Sequence, residues 1–483
     1  MSNSKDSHIR KIRKLEAEAI QLDPSSQTRT ELQKDVLRYS NDFLDNLSNL
    51  PTYNQDGYDL DSFAPDEFID EPTSADKLLK YVEDHVHQPG INAASGGHMG
   101  FIPGGGVYTA ALGDYLAAVF NRYAGVYFAA PGAIKMENAL IRWTGKLLGY
   151  AGDFAGNIAS GGSIANLIAI TTARNAHGIR GKDYEKTVIY YSEQVHHCVL
   201  KDLRVAGLDE CVLRQIPLNR SYQMDAGILE KQILEDRASG LSPFLLIASA
   251  GTTDSGAIDP LDRLGDISRE QNLWFHVDAA YGGYFMLTEE GSKKLNGIAK
   301  SDSVVVDPHK GLFLPFGTGI VIVKKASHLR HAHDFKANYM QDTDSFDQEL
   351  SPADASPELT KHFRGMRMWL PLRLHGIAPF RACLDEKLEL ARYFYREINL
   401  LGFETGPSPE LTVVLFRKTD ERRNENEINQ RIARRILEDG TVFLSTTTIN
   451  GVFWLRVAIL SFRTHLREVD LMLDRLREFS QAN

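Results

Sequence analysis

An α/β fold built on a mostly parallel sheet with helices on both faces is what the sequence predicts, and three observations predict it. Short apolar, β-branched runs at 187–191, 244–248, 273–277, 303–306 and 318–323 alternate with helical patterns, the signature of βαβ units. Polar and glycine clusters stand at or near the ends of these runs, where such sheets bind ligands. The chain has 483 residues, 43% of them hydrophobic and 24% charged, which is room for a large core and more than one domain.

Charge and cysteine usage narrow the functional class. With 54 Lys and Arg against 64 Asp and Glu the net charge is -10, opposite to the basic footprint of a nucleic-acid binder. Cys198, Cys211 and Cys383 are odd in number, widely spaced and contain no CxxC pair, so neither a disulfide framework nor a zinc knuckle is supported. Reduced thiols in a cytoplasmic protein are the expectation. Lys5, Arg10, Lys11, Arg13 and Lys14 are interleaved with acids and precede no apolar h-region, which argues against a signal peptide. No apolar run is long enough to span a bilayer, so a soluble intracellular protein without a membrane partner is expected.

In chain order, apolar residues at helical spacing (Ile9, Ile12, Leu15, Ala19, then Leu32, Val36, Tyr39, Phe43, Leu47) predict two amphipathic helices before Pro51. Such an arm has no core of its own and needs a surface to pack on, a partner subunit being one candidate. An acidic loop or linker is expected over 56–71 and a helix over 74–87. The stretch 88–106 is rich in glycine yet carries His98, Met99, Phe101, Ile102 and Pro103, and it reads equally as a surface loop or a pocket wall. Helices are expected over 107–121 and 136–150, and the alternating sheet pattern follows. The polar segment 328–359, with His328, His331 and His333, reads as a mobile segment or a lid; the chemistry below requires no metal there. After helical patterns over 361–391, interrupted by Pro371 and Pro379, come strands at 411–417, 441–446 and 452–458 and helices at 425–438 and from Leu466. The division expected is an N-terminal helical arm (1–90), a large domain (91–382) and a small C-terminal α+β domain (383–483).

Four clusters carry the chemistry. Lys310 follows a β-branched run that stops at Asp307-Pro308, and apolar and glycine residues come after it. Desolvation there would ease its deprotonation into a Schiff-base nucleophile, although this stretch alone fits a turn lysine equally well. Ser160-Gly161-Gly162-Ser163 precedes a helical pattern, with Ser163 as N-cap and a first turn that favours an anion such as phosphate, or simply a capped helix. His196, in His196-His197 beyond a strand, reads as a ring that stacks on a flat cofactor or as an ordinary turn histidine. Asp278, in His276-Val277-Asp278-Ala279-Ala280-Tyr281-Gly282-Gly283, is a carboxylate directed into a cavity or one that caps the next segment. About thirty residues separate Asp278 from Lys310, enough for one crossover between parallel strands. Together they form the set that a phosphorylated aldehyde cofactor requires.

These motifs, with Glu193-Gln194-Val195-His196, Asp307-Pro308-His309-Lys310, Met368-Trp369 and Leu455-Arg456-Val457-Ala458, resemble the group II pyridoxal 5′-phosphate (PLP) dependent amino-acid decarboxylases from about residue 88 to the C-terminus. The resemblance implies a PLP-dependent transferase-like fold of type I, with a mostly parallel seven-stranded-type sheet flanked by helices. It implies that Lys310 holds PLP as the internal aldimine, that Asp278 pairs with the pyridine nitrogen and that His196 stacks on the ring. Gly162 and Ser163 would bind phosphate, and Thr252, Ala280 and His309 would complete the cofactor site. Decarboxylation would run through an external aldimine and a quinonoid to CO2 and a primary amine, with Tyr339 protonating Cα. Phe101, Ile102 and Pro103 match the family's substrate wall, favouring an aromatic or other sizeable side chain. Gly104 departs from the small hydroxyl residue of the aromatic enzymes. Arg364 and Arg456 lie near basic residues of the family, and the arm resembles its dimerising arm, implying a homodimer with shared active sites. The competing readings are an aldehyde synthase or other PLP lyase of the same fold, and an inactive PLP-binding scaffold.

Overall fold

The computed structural model describes residues 2–54, 71–334, 349–420 and 422–481. It divides into two compact units, Met1–Ser95 and Gly96–Asn483. In the first, helices Ser2–Ala19 and Ser26–Asn46 match the two expected, and the Ser25 hydroxyl caps the second by accepting from the Thr28 amide. Ile9, Ile12, Leu15, Leu32 and Val36 are exposed along them, an apolar stripe left uncovered among the described residues. Strands β1 (Tyr53–Asn54) and β2 (Gly90–Ile91) pair antiparallel, and helix Ala75–Val82 continues into a π-helical turn, Glu83–His87.

The second unit is organised on a sheet of β3 (Ala155–Ala159), β4 (Thr187–Ser192), β5 (Val212–Ile216), β6 (Ser242–Ser249), β7 (Trp274–Asp278), β8 (Ser303–Val306) and β9 (Gly319–Val323). The spatial order is β3-β9-β8-β7-β6-β4-β5. β5, β4, β6, β7 and β8 run parallel, while β9 is antiparallel to both β8 and β3. Side chains alternate between the faces: Val188, Tyr190, Leu246, Ala248, Val304 and Val306 pack in one apolar cluster, and Ile189, Leu245, Ile247 and Val305 in another. This period of two, buried on both sides, is why these strands are continuous apolar runs.

The apolar pattern does not announce β3 or β5. A Cβ at Gly156 of β3 would stand 2.2 Å from the Val321 carbonyl oxygen, so close approach to β9 requires glycine there. β5 is an edge strand, and its Arg214 turns outward to pair with Asp236 at 2.8 Å.

The C-terminal sheet contains β10 (Glu404–Thr405), β11 (Val413–Arg417), β12 (Ser445–Ile449) and β13 (Val452–Ala458), in the order β10-β11-β13-β12 and antiparallel throughout. Helices Ala378–Leu400, Glu425–Asp439 and Leu466–Gln481 contribute to the apolar cluster packed with it. The strand expected at 441–446 lies later, because the backbone of Phe443 is engaged by Gly97 and Met99 at 3.0 and 2.9 Å. The glycine-rich stretch is therefore fastened to the C-terminal sheet from residue 96 onward.

Three further expectations are corrected. The helix expected from residue 136 begins at Pro131, whose fixed φ suits a first turn. Pro371 lies inside helix Gly365–His375 rather than interrupting it. His328, His331 and His333, expected in a mobile segment, sit on helix Ala326–His333, which packs through the buried Leu329. Helix Ala378–Leu400 runs through residues 382 and 383 without a break.

Candidate active site

The carboxyl ends of β6, β7 and β8 open on a cavity of about 370 Å³. Gly162, Ser163, His196, Thr252, Asp278, Ala280, His309 and Lys310 all line it, so the eight residues expected to hold the cofactor converge from five separate segments. Asp278 is the last residue of β7. Lys310 sits on the single helical turn Pro308–Gly311 that follows β8.

Helix Gly162–Ala176 starts at the same cavity. Its N-cap is Gly161, not Ser163 as expected; Ser163 lies within the first turn, and no side chain caps this end. Glycine is needed for closeness: a Cβ on Gly162 would stand 2.9 Å from Asp307 Oδ2, and one on Gly319 would stand 2.4 Å from the Gly161 carbonyl carbon. The uncapped amides of the first turn, with the helix dipole behind them, form a site for an anion.

Lys310 Nζ lies 3.1 Å from Asp307 Oδ2, and the lysine side chain is 22% exposed. Desolvation acts to lower its pKa, as the sequence suggests, but the charges of Asp307 and Asp278 outweigh it and the pKa is raised. The apolar reading is thereby corrected: Asp307 from the same turn and Asp278 from β7 together favour the ammonium. Asp307 is buried, and its Oδ1 has no hydrogen-bond partner among the described residues.

Asp278 accepts from the Asn166 amide through Oδ2 and from the Ala280 N–H through Oδ1, each at 3.1 Å. His196 caps helix His197–Val205 by accepting at Nδ1 from the Cys198 N–H (3.3 Å), which leaves Nε2 to carry the ring proton. Burial lowers its pKa, Asp278 opposing, and the ring is neutral at ordinary pH. His309 donates from Nδ1 to the Thr318 carbonyl at 2.6 Å. Burial, assisted by the charge of Asp278, also lifts the Asp202 carboxyl to about 7.

Phe101, Ile102 and Pro103 do not line this cavity. Ile102 and Pro103 are buried, while Phe101 is exposed at a positive φ of 53°. Arg456, almost wholly buried, holds this segment: it donates to the carbonyls of Phe101 (2.8 Å) and Asp254 (3.2 Å) and to Ser445 Oγ (2.6 Å). Burial lowers its pKa to about 10. A Cβ on Gly104 would stand 2.1 Å from the His309 carbonyl oxygen. This glycine thus serves close packing on the lysine segment. Arg364 forms a two-pronged pair with Glu358 at 3.1 and 3.0 Å, a structural engagement away from the cavity. Tyr339 lies outside the described residues.

Sequence reasoning missed Asn166 and the role of Asp307. Asn166 stands three positions after Ser163 on one helix, a spacing that turns both to the same face and was available as a signal. Asp307 was legible as the residue that ends a strand and as part of the Asp307-Pro308-His309-Lys310 motif, without a role of its own.

The donor set suits PLP. It offers an amine for an aldehyde, a carboxylate for a pyridinium nitrogen and a bare helix start for a phosphate. An α/β fold of type I around such a pocket defines a PLP-dependent enzyme. Residues 58–419 match the pyridoxal-dependent decarboxylase conserved domain, and the chain belongs to that family of PLP-dependent amino-acid decarboxylases. It is 31% identical to the aromatic-L-amino-acid decarboxylase of Bacillus atrophaeus over 414 residues, 84% of this chain and 85% of that protein. It is 27% identical to a phenylacetaldehyde synthase of Petunia hybrida over 456 residues, 89% of this chain and 90% of that protein. Oryza sativa TDC with PLP and tryptamine superposes with a TM-score of 0.89 at 22% identity, covering 95% of this chain and 98% of that one. Catharanthus roseus tryptophan decarboxylase in complex with L-tryptophan gives 0.87 at 23%, covering 95% and 99%. At such identities the structural likeness establishes the fold.

Proposed function

We propose that this enzyme decarboxylates an aromatic L-amino acid to CO2 and the primary amine, as a cytoplasmic homodimer. The observation that carries the reading is the convergence of Lys310, Asp278, His196 and the bare start of helix Gly162–Ala176 on one cavity. When bound, PLP supplies an aldehyde carbon that captures amines and a conjugated ring that takes up the electron pair released as CO2 leaves. Lys310 is the residue that would hold it, its Nζ already turned into the cavity. Asp278 would set a negative charge against the ring nitrogen, and the amides of the first turn after Gly161 would bind the phosphate. His196, neutral and with its proton on Nε2, would cover the ring face. Tyr339 would deliver a proton to Cα.

The aromatic preference rests on the names of relatives such as the Bacillus atrophaeus enzyme. An aromatic group stands at the expected substrate wall, where the His98, Phe101 and Phe443 ring centroids are 5.4 to 6.3 Å apart. The homodimer is supported by an exposed apolar stripe, Tyr108, Leu112, Tyr115 and Val119, at helical spacing on Tyr108–Phe120. The exposed Phe101 would meet substrate only with help from a second chain. Free cysteines throughout fit a reducing compartment, and among the described residues no helix is long and apolar enough to cross a membrane.

The phenylacetaldehyde synthase relative keeps a second reading in view, an aldehyde product formed with oxygen. Purified enzyme with PLP, given a panel of L-amino acids, separates the two. The expected result is equal CO2 and amine from aromatic substrates, and Tyr339→Phe keeping its cofactor while losing most amine. Ammonia and hydrogen peroxide in step with CO2 would instead assign aldehyde synthesis. Release of CO2 only from non-aromatic acids would overturn the substrate class.

A further inference from the structure

From Asn166 at the wall of the cavity, an unbroken chain of buried polar side chains runs behind Asp278 to His276, Ser303 and Trp274. Trp274 Nε1 lies 2.9 Å from Ser303 Oγ, Ser303 Oγ 2.8 Å from His276 Nδ1, His276 Nε2 2.9 Å from Asn166 Oδ1, and Asn166 Nδ2 3.1 Å from Asp278 Oδ2. Trp274, His276, Ser303 and Asn166 are each at most 2% exposed. Trp274, His276 and Asp278 stand two residues apart along β7 and so share one face of the sheet, opposite Phe275 and Val277. Ser303 pairs with His276 across the β7–β8 ladder, and Asn166 descends from the helix that begins at the anion site.

The two ends force one direction on this chain. A carboxylate only accepts, so the Asn166 amide presents N–H to Asp278 and turns its oxygen to His276. That oxygen needs a donor, so the His276 proton is on Nε2 and Nδ1 accepts. Ser303 then gives its O–H to Nδ1 and accepts from the indole N–H of Trp274, which has only a donor to offer. Burial lowers the pKa of His276 to about 4, so the ring stays neutral and a single tautomer satisfies every member. Each donor in the series polarises the next toward the carboxylate.

We propose that His276 and Asn166 are positioning residues that, through this one-way chain from Trp274, fix the orientation of the Asp278 carboxylate toward the ring nitrogen of the cofactor. The inference rests on Asp278 being the partner of that nitrogen. Asp278 alone would meet the ring nitrogen, and the other members act through it. Asn166 carries the effect because it links the strand carrying the carboxylate to the helix whose start would bind phosphate. Two anchors of the cofactor are thereby held at a set separation.

The test is reconstitution of the apoenzyme with PLP carrying nitrogen-15 in its ring, reading both affinity and the ring-nitrogen resonance by NMR. His276→Phe and Asn166→Leu are expected to weaken cofactor binding roughly tenfold or more, the scale of one hydrogen bond to a charged group, and to move the resonance toward that of an unprotonated pyridine. His276→Gln, which keeps a donor toward Asn166, restores most of both. Ser303→Ala removes one hydroxyl and decides the matter if the larger changes prevent folding. It frees the tautomer of His276 and is expected to move the same resonance by a smaller amount. Asp278→Asn runs alongside. If Asp278→Asn moves the resonance while folded His276, Asn166 and Ser303 variants keep wild-type affinity and signal, the positioning role is overturned. If Asp278→Asn itself leaves the resonance unmoved, the pairing on which the inference rests is what fails.

Discussion

Lys310 Nζ and Asp307 Oδ2 are 3.1 Å apart, three residues apart in sequence across the turn that follows β8. The pair has a consequence for cofactor capture. A lysine attacks an aldehyde only as the free amine, whereas Asp307, together with Asp278, raises the pKa of Lys310 above that of an ordinary lysine. The linkage has a definite sign. The stabilisation from the pair is fully present below the unfolded lysine pKa and disappears as pH rises through the raised folded value. Asp307→Asn removes one of the two charges, so the amine frees its proton at lower pH. The pH profile of PLP uptake by apoenzyme, followed by absorbance, is expected to move acidward by about one unit or more, the usual effect of one nearby opposite charge. An unmoved profile would show that Asp307 does not govern the proton of Lys310.

Borohydride treatment of the PLP-loaded enzyme is expected to fix the cofactor on Lys310 and on no other lysine. Lys361, which is buried, is committed to Glu137 at 2.9 Å and does not line the cavity. Peptide mapping by mass spectrometry reads the result directly. Lys310→Ala should keep the fold, measured by circular dichroism, and lose all of the label. A label on any other lysine refutes the assignment.

Much of this site was legible in the sequence for one physical reason. Asp278 ends a buried apolar strand, Lys310 follows shortly after another, and His196 follows a third, and the ends of parallel strands share one edge of a sheet. Gly162 announced a helix start through its neighbours. What stayed hidden depends on packing between segments distant in sequence. Asn166 is a polar residue among Ile164, Leu167 and Ile168, and nothing local says that His276 and Asp278 stand on either side of its amide. The proton affinity of Lys310 was misjudged because apolar neighbours dominate its sequence surroundings, whereas Asp307 folds back onto its Nζ across the turn and the charge of Asp278 arrives across the β7–β8 pairing. β3 and β5 escaped notice because a required glycine and an outward arginine broke their apolar runs. Phe443 looked like strand and is instead the clasp of the glycine-rich segment.

Gly104 offers a check on that clasp. An added Cβ would stand 2.1 Å from the His309 carbonyl oxygen and 3.2 Å from that of Lys310, both backbone atoms that cannot simply rotate away. Gly104→Ala is expected to cost about 1–3 kcal/mol, as overpacking does, by pushing the lysine turn off its position. Cofactor content after gel filtration should fall well below that of wild type, with recovery at high PLP concentration. Full cofactor retention and an unchanged unfolding midpoint would mean that the segment at 104 yields without disturbing Lys310.

The Glu137–Lys361 pair supports the site from below and gives the largest expected loss of stability. Both side chains are at most 1% exposed. Glu137 Oε2 meets Lys361 Nζ at 2.9 Å while its Oε1 accepts from the Gly365 amide at 3.0 Å. Lys361 also donates to the carbonyl of Ile158 on β3 at 2.9 Å, two residues before Ser160 and the turn into the anion site. Glu137→Gln leaves a buried ammonium without its counter-charge, a loss of about 3–5 kcal/mol. Lys361→Met leaves the carboxylate in the same position and should cost a similar amount. The pair's net contribution is smaller than either loss, because both ions were desolvated on folding. Glu137→Gln combined with Lys361→Met should therefore recover much of the stability that each single change removes. Urea unfolding at one fixed PLP concentration measures all four proteins. Additive losses in the double variant would mean that the two residues are not coupled, and that the turn at Ser160 is held by something else.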